Sequence, residues 1–531
     1  MRNIFINLAV LIIFVTAGIS LFYHDFLWTF LISGPIIGIG LIDILQSRHS
    51  IKRNFPIIGH FRYLFEFIRP EINQYFVESD TDGRPINRIQ RSIVYERAKE
   101  ELETIPFGTK EEVYNVGYEF VNHSMSPTKL GEEEKYITVG GKDCTKPYTC
   151  SILNISAMSY GALSKNAILA LNGGAKDGNF AHNTGEGGLT EYHLKNGGDL
   201  ILQIGTGYFG FRDKEGHFSE ELFQEQVILD NIKMIEIKIS QGAKPSHGGF
   251  LPAKKVSKEI SKIRKVEMGK ELISPPTHSE FSTPTELLDF IKKLRKLSNG
   301  KPVGIKLCVG HKWEFIAICK AMKKTGILPD YISVDGAEGG TGAAPLEFTN
   351  YIGTPGLDGL NFVRNCLVGF GLRDKIKILS SGKITTGFHI LRLKALGADI
   401  IYAARAMMLS LGCIQALRCH SNACPSGVAT QNPSLVKGLV VSNKRKRVKN
   451  FHKHTVESVL QIAQAMGLKS LNEITPQHLQ RRISNSHSKN YGEIYELIPE
   501  NSLLKKSSIP QSFQEDFDKA SSESFHPLKI S

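Results

Sequence analysis

From about residue 150 onward, short β-rich runs alternate with amphipathic helical runs, and this alternation limits the fold more tightly than any other feature of the 531-residue chain. The expected strands are 151–157, 179–182, 200–204, 234–239, 303–308, 331–334, 376–380 and 399–403. Helical patterns fall between most of them, at 165–175, 284–297, 313–324 and 386–396. Apolar runs of strand length spaced by helices argue for parallel β/α units. Eight such strands in about 250 residues predict a (β/α)8 TIM barrel rather than an open sheet. A doubly wound sheet is the alternative, because strand order is not written in a sequence.

A barrel of this kind carries its chemistry on the loops that follow its strands. Strand one runs into Ser156, Met158 and Ser159, and strand two into the glycine-framed Glu186. Strand three carries Gln203. Strand four ends with Lys238 and continues through Gln241 to Lys244, and strand five carries Lys306. Strand six leads to Gly340-Thr341-Gly342, strand seven to Gly382-Lys383 and strand eight to Ala404-Arg405. The two late Gly-rich loops present consecutive backbone N–H groups, a nest suited to phosphate. No G-x-G-x-x-G opens a helix after a strand, so a Rossmann dinucleotide site is not supported. Lys306 lies in the otherwise apolar Gly304–Cys308 run, where a buried ammonium needs a partner. A reduced flavin, which is anionic on its ring, is one; a lysine reaching solvent from a strand end is the plainer alternative. Lys238 and Lys244 suit an α-keto acid carboxylate or the flavin. Glu186 is a candidate proton-handling or conformational carboxylate.

The N-terminus obeys a different pattern. Residues 4–22 are apolar and uncharged, and after a short polar gap residues 26–41 are apolar again, interrupted by Gly34-Pro35. Each run is close to the ~20 residues that span a bilayer. A signal peptide is the alternative for the first run, but no small-residue cleavage site separates it from the second. A transmembrane hairpin over 1–46 is therefore expected. Basic Arg48, Lys52, Arg53 and Arg62 follow it and Arg2 precedes it, which places both ends and the catalytic part in the cytoplasm. The remaining divisions read as an extension over 47–145, the barrel over 146–435 and a helical extension and tail over 436–531. The formal net charge of +13 is spread along the chain, with its densest run at 442–454, and gives no nucleic-acid patch. That run is a solvated charged face or a docking face for anionic lipid or an acidic electron donor.

Just past the last expected strand, Cys413, Cys419 and Cys424 follow a C-x5-C-x4-C spacing, with Pro425 after the third. Clustered thiolates followed by proline suit an iron–sulfur cluster. The competing reading is three apolar core cysteines. Eight cysteines in a chain this long do not make a disulfide scaffold, and a cluster implies a reducing compartment.

Taken together, the motifs SAMSYGALS (156–164), NTGEGG (183–188), KISQGAKP (238–245), GGFLP (248–252), IKL (305–307), DGAEGGTGAAP (335–345) and CHSNACPSGVATQNP (419–433) resemble the FMN-binding synthase domain of glutamate synthase. The resemblance implies a (β/α)8 barrel with FMN, and a 3Fe–4S cluster on Cys413, Cys419 and Cys424. It implies glutamate formation from 2-oxoglutarate and ammonia through 2-iminoglutarate, with FMN as hydride donor. Lys306 and the loops at 340–342 and 382–383 would meet FMN; Lys238, Gln241, Lys244 and Arg264 would meet the substrate. Full-length members begin with an amidotransferase domain carrying an N-terminal cysteine. Here the first 145 residues do not accommodate one, so ammonia is expected free or from a partner, and electrons from ferredoxin, a flavoprotein subunit or the membrane. Three positions depart from the family pattern: Tyr208 replaces an Arg, His247 a Glu and Phe250 a Gln. Those losses leave open another amino or hydroxy acid as substrate, or a non-catalytic membrane scaffold.

Overall fold

The computed structural model describes residues 1–101 and 104–529, which separate into two compact units, Met1–Pro85 and the part from Ile86 onward. In the second unit eight parallel strands close into a barrel. They are β1 (Leu153–Ile155), β2 (His182–Asn183), β3 (Leu200–Ile204), β4 (Ile232–Lys238), β5 (Val303–Cys308), β6 (Tyr331–Asp335), β7 (Lys377–Ser381) and β8 (Ile400–Ala403). Each pairs with its sequence neighbours, and β8 closes onto β1. The open-sheet alternative is excluded.

Two expected strands shift for identifiable reasons. Asn179, placed at the start of the second strand, caps the helix Lys165–Gly178 in the left-handed region with φ 55°, so β2 begins only at His182. Ser151, placed in the first strand, belongs to the strand Tyr148–Ser151, which pairs antiparallel with Tyr136–Val139. Val139 and Cys150 of that hairpin pack with Ala181, Ile201, Met234, Tyr331, Leu379, Ile400 and Tyr402 in a separate apolar layer. The helices largely keep their expected bounds because capping residues fix them. Ser164, Thr283 and Thr386 accept from the first turns of Lys165–Gly178, Pro284–Leu297 and Gly387–Ala395, Thr283 in a full capping box with Glu286.

Strand alternation decides what enters the barrel. On β4, Ile235 and Ile237 join the large outer core, while Met234, Glu236 and Lys238 point the other way. On β5, Ile305 and Leu307 pack outward and Lys306 does not. The interior is thus apolar at the hairpin end and becomes charged toward the C-terminal strand ends.

The long helix Val441–Ala465 packs on Lys165–Gly178, Arg88–Lys99 and Gly387–Ala395. A methyl group at Gly174 would lie 2.6 Å from Val448 Cβ, so glycine sets the close approach. The basic run 442–454 lies on this helix with Val448, Phe451 and His452 buried, and Arg445 bound to Asp177.

In the first unit, the helix Arg2–Ser20 and the helical stretch His24–Leu45 are long and apolar enough to cross a membrane. Pro35 stands inside the helix Phe30–Leu45 without ending it. The chain continues through the short helix Ser50–Asn54 into the helix Gly59–Ile72.

Candidate active site

The loop after β2 brings Glu186 over the strand ends, and its glycines are there for space. Gly185 has φ +68°, and a Cβ there would lie 2.8 Å from Ser159 N. A methyl at Gly249 would come within 2.6 Å of Glu186 Oε1, and one at Gly205 within 2.6 Å of its Cβ. In this cradle Lys238 Nζ donates to Glu186 Oε1 at 2.7 Å, with side chains 8% and 16% exposed. Lys244 comes from the loop after β4 and donates to Ala343 O. Arg264, last residue of the helix Lys258–Arg264, donates to Tyr160 O at 2.9 Å and lies over the Phe209 ring.

All three cations are buried and act on one carboxylate. Burial alone would raise the Glu186 pKa, but Lys238, Lys244 and Arg264 together hold it below the usual range. Burial pushes Lys244 down to about 8 against the pull of Glu186, and Arg264 down to about 10. Arg264 Nε is buried without a hydrogen-bond partner among the described residues. An unspent donor beside an excess of positive charge points to an anionic ligand. Gln241 is half-buried on the same loop as Lys244, while the backbone N–H groups beside it, of Gly242 and Ala243, are held by Asp335 and Ala337.

Beneath lies a second polar group that sequence reasoning missed. Glu236 is fully buried at the centre of the barrel and accepts from Gln203 Nε2 at 2.7 Å, Asn183 Nδ2 at 2.8 Å and Tyr402 Oη at 3.3 Å. Burial raises its pKa, opposed first by the charge of Lys306. The signal was available: Glu236 stands two residues before Lys238, hence on the same strand face. Lys306 is 5% exposed and 3.8 Å from Asp335 Oδ2, which rules out a solvent-reaching lysine. Asp335 itself accepts from Ser381 Oγ and Gly242 N.

The phosphate-type loops gather at the late strands. Arg405 donates to Glu338 O, and a methyl at Gly340 would touch the Arg405 side chain at 3.1 Å. The N–H groups of Gly340, Thr341 and Gly342 donate to no protein atom among the described residues, and a Cβ at Gly342 would meet nothing within 4 Å. Gly382 (φ +156°) faces Glu338, and Lys383 takes φ 45°. Ser156 N is held by Ala403 O beside Ala404, and Met158 N by Asn183 O, which fixes Ser156–Ser159 at the rim. These residues fit a flavin in kind: an open N–H nest on one side, and buried Lys306 and Gln203 inside the mouth.

Each of the three departing positions has an identifiable contact. Tyr208 is 1% exposed; its hydroxyl contacts His278 Nδ1 and accepts from the N–H groups of Ser279 and Glu280. His278 in turn meets Lys238 O through Nε2, so Tyr208 braces the Lys238 strand end. Phe250 lies in a two-residue pairing with Ile273. His247 packs its ring edge against Phe348.

Cys413, Cys419 and Cys424 share one neighbourhood, close enough for each charge to act on the others. Among the described residues no three metal-binding side chains converge as a single ion requires. A 3Fe–4S cluster asks for something wider, one thiolate per iron. Burial pushes the Cys413 thiol up to about 12, so metal would have to displace its proton. Buried Lys255 donates to Ala162 O and Ala429 O, and lies close enough to Cys419 and Cys424 for its charge to act there. The donor set fits a cluster in kind.

Comparison with known proteins agrees with this architecture. The family profile described as "Conserved region in glutamate synthase" matches residues 100–469. The glutamate synthase large subunit-like protein YerD of Bacillus subtilis (strain 168) is 38% identical over 478 residues, covering 82% of this chain and 90% of that one. The archaeal glutamate synthase (NADPH) of Methanocaldococcus jannaschii is 35% identical over 321 residues, 60% of each chain. The ferredoxin-dependent glutamate synthase of Pyropia yezoensis is 33% identical over 288 residues, 54% of this chain but 18% of that one. This chain therefore spans most of the first relative and only part of the other two. On the profile match and the Bacillus relative, the chain belongs to the glutamate synthase family, a family of oxidoreductases.

Proposed function

We propose that the chain is a membrane-anchored enzyme that forms glutamate from 2-oxoglutarate and ammonia, using FMN and a 3Fe–4S cluster. The observation that carries this reading is the charge around Glu186. Lys238, Lys244 and Arg264 are buried against a single carboxylate. A dianion such as 2-oxoglutarate supplies the two missing negative charges. A monocarboxylate would leave a buried cation uncompensated, at a cost of several kcal/mol.

In this reading the nest at 340–342, the turn at Gly382-Lys383 and Ala404-Arg405 hold the FMN phosphate. Ser156, Met158, Ser159 and Gln203 would help to hold it, with Lys306 as counter-charge. Bound FMN supplies the hydride. Lys244 and Arg264 orient the substrate carboxylates. Lys238, 2.7 Å from Glu186 Oε1, is placed to give a proton to the reacting group, and Glu186 to orient that donor. Glycine packing around Glu186 leaves little room for water beside it. Cys413, Cys419 and Cys424 would carry the cluster, which supplies one-electron relay when bound. Residues 1–46 are the two-pass anchor, with 47–145 and 436–531 as extensions of the cytoplasmic barrel at 146–435. The electron donor is a ferredoxin or a flavoprotein subunit.

The test is the oxidative half-reaction. Flavin in the purified protein is reduced without air, then offered 2-oxoglutarate with ammonium. Reoxidation with glutamate as product is expected. Reoxidation by a different keto acid alone would move the assignment to the alternative, a same-fold oxidoreductase for another amino or hydroxy acid. Apolar Phe250 and the committed hydroxyl of Tyr208 favour keeping that alternative in the screen. A protein without flavin absorbance would leave only the scaffold reading. For the cluster, Cys419→Ser should abolish the low-temperature EPR signal; retained iron and signal would remove the assignment.

A further inference from the structure

The helix Gly59–Ile72 carries one apolar stripe. Phe61, Leu64, Phe65, Ile68 and Ile72 recur at helical spacing, and Phe61, Leu64, Phe65 and Ile72 are exposed. Phe61 and Phe65 stack on each other. Arg69 and Arg62 border the stripe on one flank with Glu66 beyond them, Arg62 and Glu66 paired at 3.7 Å, while Tyr63, exposed Phe67 and Pro70 take the far side. Between Arg48 and Ile72 five basic residues face two acidic ones.

What fixes this helix in place is a single carboxylate. Asp43, two residues before the end of the helix Phe30–Leu45, is buried although it stands in a membrane-like sequence. Its two oxygens accept from Ile57 N at 3.0 Å and meet His60 Nε2 at 2.8 and 2.9 Å. Ile57 and His60 bracket the start of the helix. Gln46 bridges Asp43 O and His49 O and shapes the turn between. The start of the amphipathic helix is therefore tied to the point where the apolar stretch ends.

We infer that Gly59–Ile72 is an interfacial helix that lies on the anionic leaflet of the membrane, its Phe61–Leu64–Phe65 face among the acyl chains and Arg62 and Arg69 at the headgroups. This rests on the membrane reading of residues 1–46 above. Two observations choose lipid as the occupant. The tether through Asp43 holds the stripe at the depth where a span would leave the hydrocarbon. The net positive charge of the segment complements anionic headgroups. Helices with this division of faces bury their apolar side about 5–10 Å into the headgroup boundary. The segment would then set the height of the chain leaving the membrane, which a hairpin alone does not.

The test uses the full chain in vesicles of phosphatidylcholine with or without phosphatidylglycerol. A photoreactive benzoylphenylalanine replaces Phe65, Glu66 or Phe14 in turn. Position 65 should crosslink to lipid, several-fold more with phosphatidylglycerol present, and position 66 should not. Combining Arg62→Gln with Arg69→Gln should remove the dependence on phosphatidylglycerol. Lipid crosslinks at position 14 with none at 65 would overturn the interfacial helix and leave the anchor standing. Crosslinks from 65 to a second copy or to the chain itself would overturn it in favour of protein packing. No lipid crosslink at either position would remove the anchor and this inference together.

Discussion

The barrel mouth and the segment Met1–Pro85 depart from the usual division of residues in opposite directions. At the mouth, charged side chains are inside: Lys238, Lys244, Lys306, Arg264 and Glu236 are all buried. In the N-terminal segment, large apolar side chains are outside: Phe14, Leu31, Ile32 and Phe65 are exposed. Each arrangement is costly in water alone, since buried charge must be compensated and exposed apolar patches must be covered. The difference teaches what each region is built to meet. The mouth has surplus positive charge and an unspent Arg264 donor, so it awaits an anion. The segment has surplus hydrocarbon and basic flanks, which on the proposed membrane reading would meet lipid.

The comparison breaks most visibly if the apolar segment is removed. Deleting residues 1–46 should move the protein from the membrane pellet to the soluble fraction after gentle lysis. If the intact chain is already soluble, the lipid half of the comparison fails. At the mouth, Lys238→Met removes the hydrogen bond to Glu186 Oε1 but leaves Lys244 and Arg264 facing the carboxylate. Loss of that charge-assisted bond should cost about 1.5–3 kcal/mol. Chemical denaturation measures it, and an unchanged midpoint would show the pair to be solvated.

Lys244 sharpens the anion half. Its pKa is lowered to about 8, so it is charged below that pH and neutral above it. Affinity for 2-oxoglutarate should therefore fall as pH rises through 8, and binding near that pH should take up a proton. Lys244→Met should weaken binding by about tenfold to a hundredfold, the worth of a charge-assisted hydrogen bond, and remove the pH dependence near 8. Titration calorimetry in two buffers of different ionisation enthalpy reads both effects. A pH-independent affinity in the unaltered protein would exclude Lys244 from the substrate.

Smaller effects test the supports. Lys306→Met retains most of the volume and removes the counter-charge near Asp335 and Glu236. The flavin potential should drop while folding and flavin content change less; an unaltered potential in a flavin-loaded protein would make Lys306 a structural lysine. Tyr208→Phe removes a hydroxyl that serves His278 and two backbone N–H groups. A loss of about 1–3 kcal/mol is expected from those unsatisfied groups, with substrate affinity little changed. A large affinity loss at constant stability would instead place Tyr208 in the substrate pocket.

By itself the sequence determined the barrel, because β/α alternation and capping residues are local signals. Pro284–Leu297 keeps its expected bounds through Thr283 and Glu286, and Val303–Cys308 is an apolar run interrupted by one lysine. It also located the glycine loops, Glu186, Lys306 and the three cysteines by their unusual residue types. Tertiary structure alone decided which of these meet. Arg264, from a helix some eighty residues beyond Glu186, reaches the same cradle, and Asp335 lies beside Lys306 only because β5 and β6 pair. Glu236 reads as one charge in an apolar strand until the barrel closes and Asn183, Gln203 and Tyr402 arrive from three other strands or strand ends. Asp43 likewise looks like a flaw in an apolar run until the chain folds back and His60 and Ile57 N–H reach it. Periodicity fixes which face a side chain takes, while its partners come from contacts distant in sequence, and those contacts convert a buried charge from a cost into a site.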